Sequence, residues 1–198
     1  MIVYYLNMRC KDENKKENIF TATIQLINEI GFSEISMSKI AKRAGVSSST
    51  IYVYFKNKND MINKLYLTVK QKMSCEIFYG IDASTTVKAG FELVFRNYLK
   101  FLLNCKDYFL FIEQFANSPL IQSLSREEGL NLFLPMYQLF ERGKSENILK
   151  KVDTDLLIIY AYTPINQVAK ACLNGEFKLN EEKIKKIIQM SWDAIRLH

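Results

Sequence analysis

Between residues 36 and 58 the chain sets hydroxyls and basic side chains at close intervals, among them Ser36, Ser47, Ser48, Ser49, Thr50, Tyr52 and Lys58. Such groups exchange hydrogen bonds or carry a fixed positive charge, which suits recognition of a polar, anionic partner. Catalytic chemistry is poorly supplied elsewhere. The only histidine is His198 at the end of the chain, and no Cys–His or paired-carboxylate arrangement is suggested. Cys10, Cys75, Cys105 and Cys172 are too scattered for a zinc site. They read as reduced thiols of a cytoplasmic protein, the last three as core filler. The expectation is a binding protein rather than an enzyme, with no catalytic residue, cofactor or metal.

The elements that must hold these hydroxyls can be read from the residues between them. Ser36 is a good N-cap for a short helix ending at Ala44, and Gly45 can take the left-handed turn conformation. A further helix covers Ser48 to Tyr54. Ala41, Gly45, Val46 and Ile51 stand at helix-turn-helix spacing: a small residue at the crossing, a glycine in the turn, apolar anchors on either side. At about 100° per residue, an inward Ile51 leaves Phe55 on the core side and turns Ser49 and Val53 outward, flanked by Thr50 and Tyr52. That face is small, hydrogen-bonding and free of long acidic side chains, so it can enter a DNA major groove. On these residues alone an ordinary helical hairpin fits as well.

The charge distribution agrees with a phosphate partner. Residues 1–70 hold 11 Lys/Arg against 6 Asp/Glu, a net +5, whereas the remaining 128 residues carry only +1. A solvated basic surface would give the same imbalance. Apolar residues make up 48% and charged residues 24%, as in a folded chain, and no apolar run approaches the roughly 20 residues of a membrane span. Met1 to Leu6 make a poor signal peptide. Residues 1–7 are expected to be a doubtful or flexible start, with translation beginning at Met8.

Helical patterning runs almost throughout, so the expected fold is all-α with about nine helices. The first spans about Lys15–Ile30, with Phe20, Ile24 and Ile27 on one stripe closed by Gly31. A long helix runs from about Lys58 to Tyr79, and another ends near Asn104 after the break Gly80–Ser84. Asp107–Asn117 is short and aromatic. Pro119 is expected in the first turn of the next segment, and Leu130–Glu146 continues as helix. Asp153–Asn174 and Glu181–Leu197 close the chain, the last capped by Asn180. The expected domains are 8–57, a three-helix DNA-binding unit, and 58–198, a helical unit joined to it through the long helix.

The stretch from Asn18 to about Leu67 resembles the TetR/AcrR family of bacterial regulators. The resemblance lies in Ile19-Phe20 through Gly31-Phe32, Ile40-Ala41 through Gly45-Val46-Ser47, and above all Thr50-Ile51-Tyr52-Val53-Tyr54-Phe55-Lys56-Asn57-Lys58. It implies that Ser36, Ser47, Tyr52 and Lys58 hold the phosphate backbone while Ser48, Ser49, Thr50 and Val53 face bases or nearby backbone. Tyr54 fits packing at least as well as contact. The family often carries Gly at position 49 and a polar residue at position 53. Val53 cannot hydrogen-bond but can pack on a thymine methyl, so an A/T-rich contact is expected.

The resemblance also implies an effector pocket and a dimer. Residues 85–140 are rich in aromatics, most of which must be core. Tyr98, Tyr137, Tyr160 and Tyr162, with Glu113 and Gln114 as polar anchors, are the residues expected to meet an apolar or aromatic ligand. The last two helices carry apolar residues on more than one face, and Pro164 is expected to kink the first of them. A two-fold homodimer through about 153–197 would pair two reading heads on a palindromic double-stranded operator. The function expected is a transcriptional repressor released by a small molecule. The alternative is an accessory or architectural DNA-binding protein without an effector.

Overall fold

The computed structural model describes residues 2–116 and 118–197, with side chains from residue 15 onward except that of residue 124. Of residues 1–7 the backbone is described from residue 2 onward, as helix, so the first helix starts well before the expected Lys15. The choice of Met8 as the start and the Cys10 thiol lie outside the described set. Among the described residues ten helices follow one another: α1 (Ile2–Ile30), α2 (Met37–Ala44), α3 (Ser48–Tyr54), α4 (Lys58–Ile77), α5 (Val87–Asn104), α6 (Lys106–Phe115), α7 (Ser123–Asn131), α8 (Leu134–Ser145), α9 (Thr154–Leu173) and α10 (Glu181–Ile195). Among the described residues there is no strand, only an isolated antiparallel bridge between Leu149 and Arg196.

The count exceeds the nine expected because of one proline, Pro135, while another, Pro119, only shifts where a helix starts. Pro119 does not open a helix; it stands in a turn, where the Leu120 N–H donates to Ser118 Oγ at 3.2 Å, and α7 begins only at Ser123. Pro135 lies in the first turn of α8 and has no N–H with which to extend α7. The stretch 130–146 is therefore the end of α7, a two-residue break and α8. Pro164, by contrast, sits inside α9, which continues through it.

The chain divides into two compact units, Met1–Val69 with Asp107–Arg126, and Lys70–Lys106 with Glu127–His198. In the first, the predicted stripe of α1 (Phe20, Ile24 and Ile27), joined by Ile19, closes over Ile40 of α2, Ile51 of α3, Phe55, and Leu65 of α4. Phe20 meets Phe55 edge-on with centroids 5.2 Å apart. Phe111 and Phe115 of α6 join the same cluster, and Asn28 Nδ2 ties α6 to α1 by donating to the Asp107 carbonyl at 2.9 Å. Each such large side chain taken out of water stabilises the fold by about 1.5–3 kcal/mol.

The second unit is built around α5, which packs against α8, α9 and α10. Phe91 is the hub: its ring lies 4.4 Å from that of Phe95 and 5.1 Å from Trp192 of α10. Gly143 permits the closest approach. A Cβ there would come within 2.6 Å of the Leu149 side chain, while its carbonyl accepts from the Ile148 and Leu149 N–H groups at 2.8 and 3.0 Å.

Candidate nucleic-acid interface

Local cap chemistry orders the hydroxyl-rich segment before any partner is present. Ser36 caps α2, its Oγ accepting from the Lys39 N–H at 3.2 Å and sharing a hydrogen bond with Ser38 Oγ at 3.0 Å. Gly45, at φ 67°, takes the left-handed turn, and the Val46 N–H returns to the Ala41 carbonyl at 3.0 Å. Ser47 repeats the device for α3: its Oγ accepts from the Thr50 N–H at 3.2 Å and lies 2.8 Å from both Ser49 Oγ and Thr50 Oγ1.

The face this produces is polar outside and closed beneath. Ile51 is fully buried, whereas Tyr52 is 57% and Val53 79% exposed. Ser47, Ser48 and Ser49 are exposed as well, Thr50 and Tyr54 half-buried. Ser47 Oγ accepts from the helix N–H yet keeps a proton of its own to donate, and Ser48 and Tyr52 stand exposed beside it. Val53 stands among them as the apolar exception.

Beside α3, a groove of about 510 Å³ gathers Ser36, Ser48, Tyr52, Lys56 and Lys58 at its walls. Four of the expected contact residues thus share one concavity, together with Lys56, which the sequence reading did not single out. The lysine at the start of α4 is held in place: Lys58 Nζ donates to the Ser33 carbonyl at 3.3 Å and lies 4.8 Å from the centroid of the Phe32 ring. Asn57 Oδ1 caps α4 by accepting from the Asp60 N–H at 2.9 Å, and Asp60 in turn accepts from the Lys56 N–H at 2.8 Å. Partial burial pushes the Asp60 carboxyl up, but the Lys56 N–H and Lys64 outweigh it and hold the group below its usual range. The Asn57-x-x-Asp60 spacing is a capping signature legible in the sequence. Lys64 closes the corner, donating to the Tyr54 carbonyl at 2.8 Å.

The six residues expected at an effector pocket are not gathered in this way. Tyr98 of α5 is buried, donates to Asn166 Oδ1 of α9 at 3.0 Å and has its ring 5.7 Å from that of Tyr162. Asn166, itself buried, gave no periodic signal in the sequence. Tyr137 of α8 donates to the Asp155 carboxylate instead, and that bond is the main reason its phenol is pushed up to about 12. Tyr160 is 59% exposed. Glu113 is half-buried and Gln114 exposed, both on α6 within the first compact unit.

The α9 and α10 faces differ from the expectation in detail. Leu157, Ile188, Trp192 and Ile195 are buried in their own unit. Leu156, Ile159 and Tyr160 of α9 remain exposed at helical spacing, as does Met190 of α10. No described helix is long and apolar enough to cross a membrane. Among the described residues no group of three or more His, Cys, Asp or Glu could hold a metal ion.

Known proteins share both halves of this arrangement. Residues 19–65 match the model of the bacterial regulatory proteins of the tetR family, and residues 87–196 match that of the tetracyclin repressor-like C-terminal domain. An uncharacterized HTH-type transcriptional regulator of Haemophilus influenzae is 24% identical over 190 residues, 96% of this chain and all of its own. A TetR family transcription regulator of Marinobacter aquaeolei superposes with a TM-score of 0.90 at 24% identity, covering 96% of this chain and 100% of that one. The regulator FadR of Bacillus subtilis, solved with stearoyl-CoA, gives a TM-score of 0.71 at 20% identity over 92% of this chain and 100% of its own. The two matches together span most of the chain: it belongs to the TetR family of bacterial transcriptional regulators and binds DNA.

Proposed function

We propose that this regulator is a cytoplasmic homodimeric repressor, released from a palindromic operator when an apolar small molecule occupies its second domain. In this reading residues 8–57 read DNA and residues 58–198 bind effector and partner. The observation that carries it is the ordered polar face of α3 beside the groove of Ser36, Tyr52 and Lys58, set on a buried Ile51. Ser36, Ser47, Tyr52 and Lys58 hold phosphates; Ser48, Ser49, Thr50 and Val53 face the bases. Phosphate contacts fix the register and carry little sequence information, so specificity rests on the second group.

Dimerisation is supported by the exposed stripe Leu156, Ile159 and Tyr160 on α9 with Met190 on α10. Apolar side chains repeated on one face want a partner, and a two-fold axis supplies the same face again. Two reading heads about 34 Å apart then meet successive major grooves.

For the effector, Tyr98, Tyr162 and Asn166 offer a polar end among aromatic core residues, which suits a ligand with a long apolar body and one polar group. FadR of Bacillus subtilis was solved with stearoyl-CoA, so long-chain acyl thioesters head the compounds to test. A ligand acts only through different affinity for the DNA-competent and released states. The test is footprinting on the DNA upstream of the chain's own gene, followed by titration with acyl-CoA of increasing length. A protected palindrome that is lost on titration is expected. No footprint at low salt would overturn the reading. A footprint that no apolar compound alters would make the chain an accessory DNA-binding protein without an effector.

A further inference from the structure

We infer that Phe32 is a positioning residue for DNA binding: its ring holds the Lys58 ammonium in the phosphate groove, and Phe115 of α6 fixes the ring. This rests on Lys58 gripping phosphate, as proposed above. Phe32 directly follows Gly31, whose φ of 79° ends α1 and turns the chain back over the unit's core. Its ring meets Phe115 edge-on, with centroids 5.7 Å apart and planes at 77°. The ring also lies 4.8 Å from Lys58 Nζ, which donates to the neighbouring Ser33 carbonyl at 3.3 Å. One half-buried aromatic thus joins a helix of the core to the charge that lines the groove.

The chemistry explains why an aromatic is needed there. A free lysine samples many rotamers, and freezing them on a phosphate costs affinity. An ammonium drawn to a ring quadrupole and a carbonyl is already restricted. It has three donors, so with one on Ser33 and one directed at the ring, another stays available for an incoming phosphate oxygen. Leucine would occupy a similar core volume but offers no π face.

The test is a double-mutant cycle read by binding of the full-length protein to its own upstream DNA, with thermal unfolding followed in parallel. Phe32→Leu is expected to weaken binding roughly threefold to tenfold. The same change in a Lys58→Ala background should have almost no effect. Phe32→Tyr should restore the loss, and Phe115→Leu should give a smaller loss of the same kind. Without any substitution, NMR of the DNA-free protein should show the Lys58 ε-methylene protons shifted upfield by the ring, a shift abolished in Phe32→Leu. An equal loss from Phe32→Leu with and without Lys58 would reduce Phe32 to core packing and overturn the inference, as would an unshifted Lys58 in the wild type. If Lys58→Ala binds as tightly as wild type, the positioning role falls with the phosphate grip; an intact upfield shift would then show that the grip, not the ring contact, was the step that failed.

Discussion

Two exposed faces of this chain have opposite chemistry. On α3, Ser48, Ser49, Tyr52 and Val53 are all exposed, and the hydroxyl cluster around Ser47 already satisfies itself at 2.8 Å. On α9, Leu156, Ile159 and Tyr160 stand in the open with Met190 of α10. Water solvates the first face as well as a partner would. The second costs free energy for as long as it is uncovered, at about 25 cal/mol for each Å² of apolar surface. The comparison separates two kinds of contact. Binding through α3 can be weak, reversible and tuned by salt, whereas an α9 partner should stay in place. A regulator needs both: a stable pair of heads and a removable grip.

The apolar face should yield the largest effect. Ile159→Glu places a carboxylate in the proposed dimer seam twice over, once from each protomer. Unpaired charge in a dry interface is strongly unfavourable, and association should weaken on the order of a hundredfold or more. Sedimentation would then report a monomer, and operator affinity should collapse with it although α3 is untouched. A dimer that survives would place the seam elsewhere and remove the contrast between the two faces.

How much of this was legible follows from sequence distance. The α2–turn–α3 segment was readable because Ser36, Gly45 and Ser47 each act on backbone within a few residues. The placement of α6 was not. The aromatics of 107–117 announce burial, but nothing in their spacing says that Phe111 and Phe115 complete the core around Ile51. The same holds for the pair Tyr98–Asn166, which lie 68 residues apart. The aromatics of residues 85–140 were correctly expected to be mostly core, although those of α6 serve the first unit and not the second. The break before α8 was missed because Pro135 was absorbed into a longer apolar pattern.

Inside the second unit, the next effect in size tests whether its buried polar pair resembles the satisfied hydroxyls of α3. Tyr98→Phe removes only an oxygen, yet it breaks a buried hydrogen bond to Asn166 Oδ1. Such a bond contributes about 1–1.5 kcal/mol, which denaturant titration would resolve. If an acyl effector binds there, its affinity should fall as well. Unchanged stability would mean that the pair is no more than incidental.

A smaller effect has a defined pH window. Hydrogen bonding to Asp155 raises Tyr137 to about 12 from an ordinary 10. The neutral phenol is thus favoured by folding, so its stabilisation is complete below pH 10 and is lost as pH rises towards 12. Tyr137→Phe should lower stability at neutral pH by about 1 kcal/mol, with the difference vanishing on the alkaline side. Unfolding curves that stay parallel over that range would show that the bond contributes nothing.

The smallest effect returns to α3 and to the one residue that breaks its polar character. Val53 is 79% exposed and donates no hydrogen bond, so it can favour a base only by covering apolar surface, and the thymine methyl is what the major groove offers. Val53→Ala removes two methyl groups from that contact. Each methylene-sized group covered is worth at most about 0.8 kcal/mol, less where the contact is partial, so affinity for A/T-bearing operators should drop only a few-fold. G/C variants, which have no methyl to lose, should hardly change. The useful measurement is therefore the ratio between operator variants rather than either affinity alone. A ratio that Val53→Ala leaves untouched would mean that Val53 reads no base, leaving base readout to Ser48, Ser49 and Thr50 and making the face of α3 uniformly polar in its dealings with DNA.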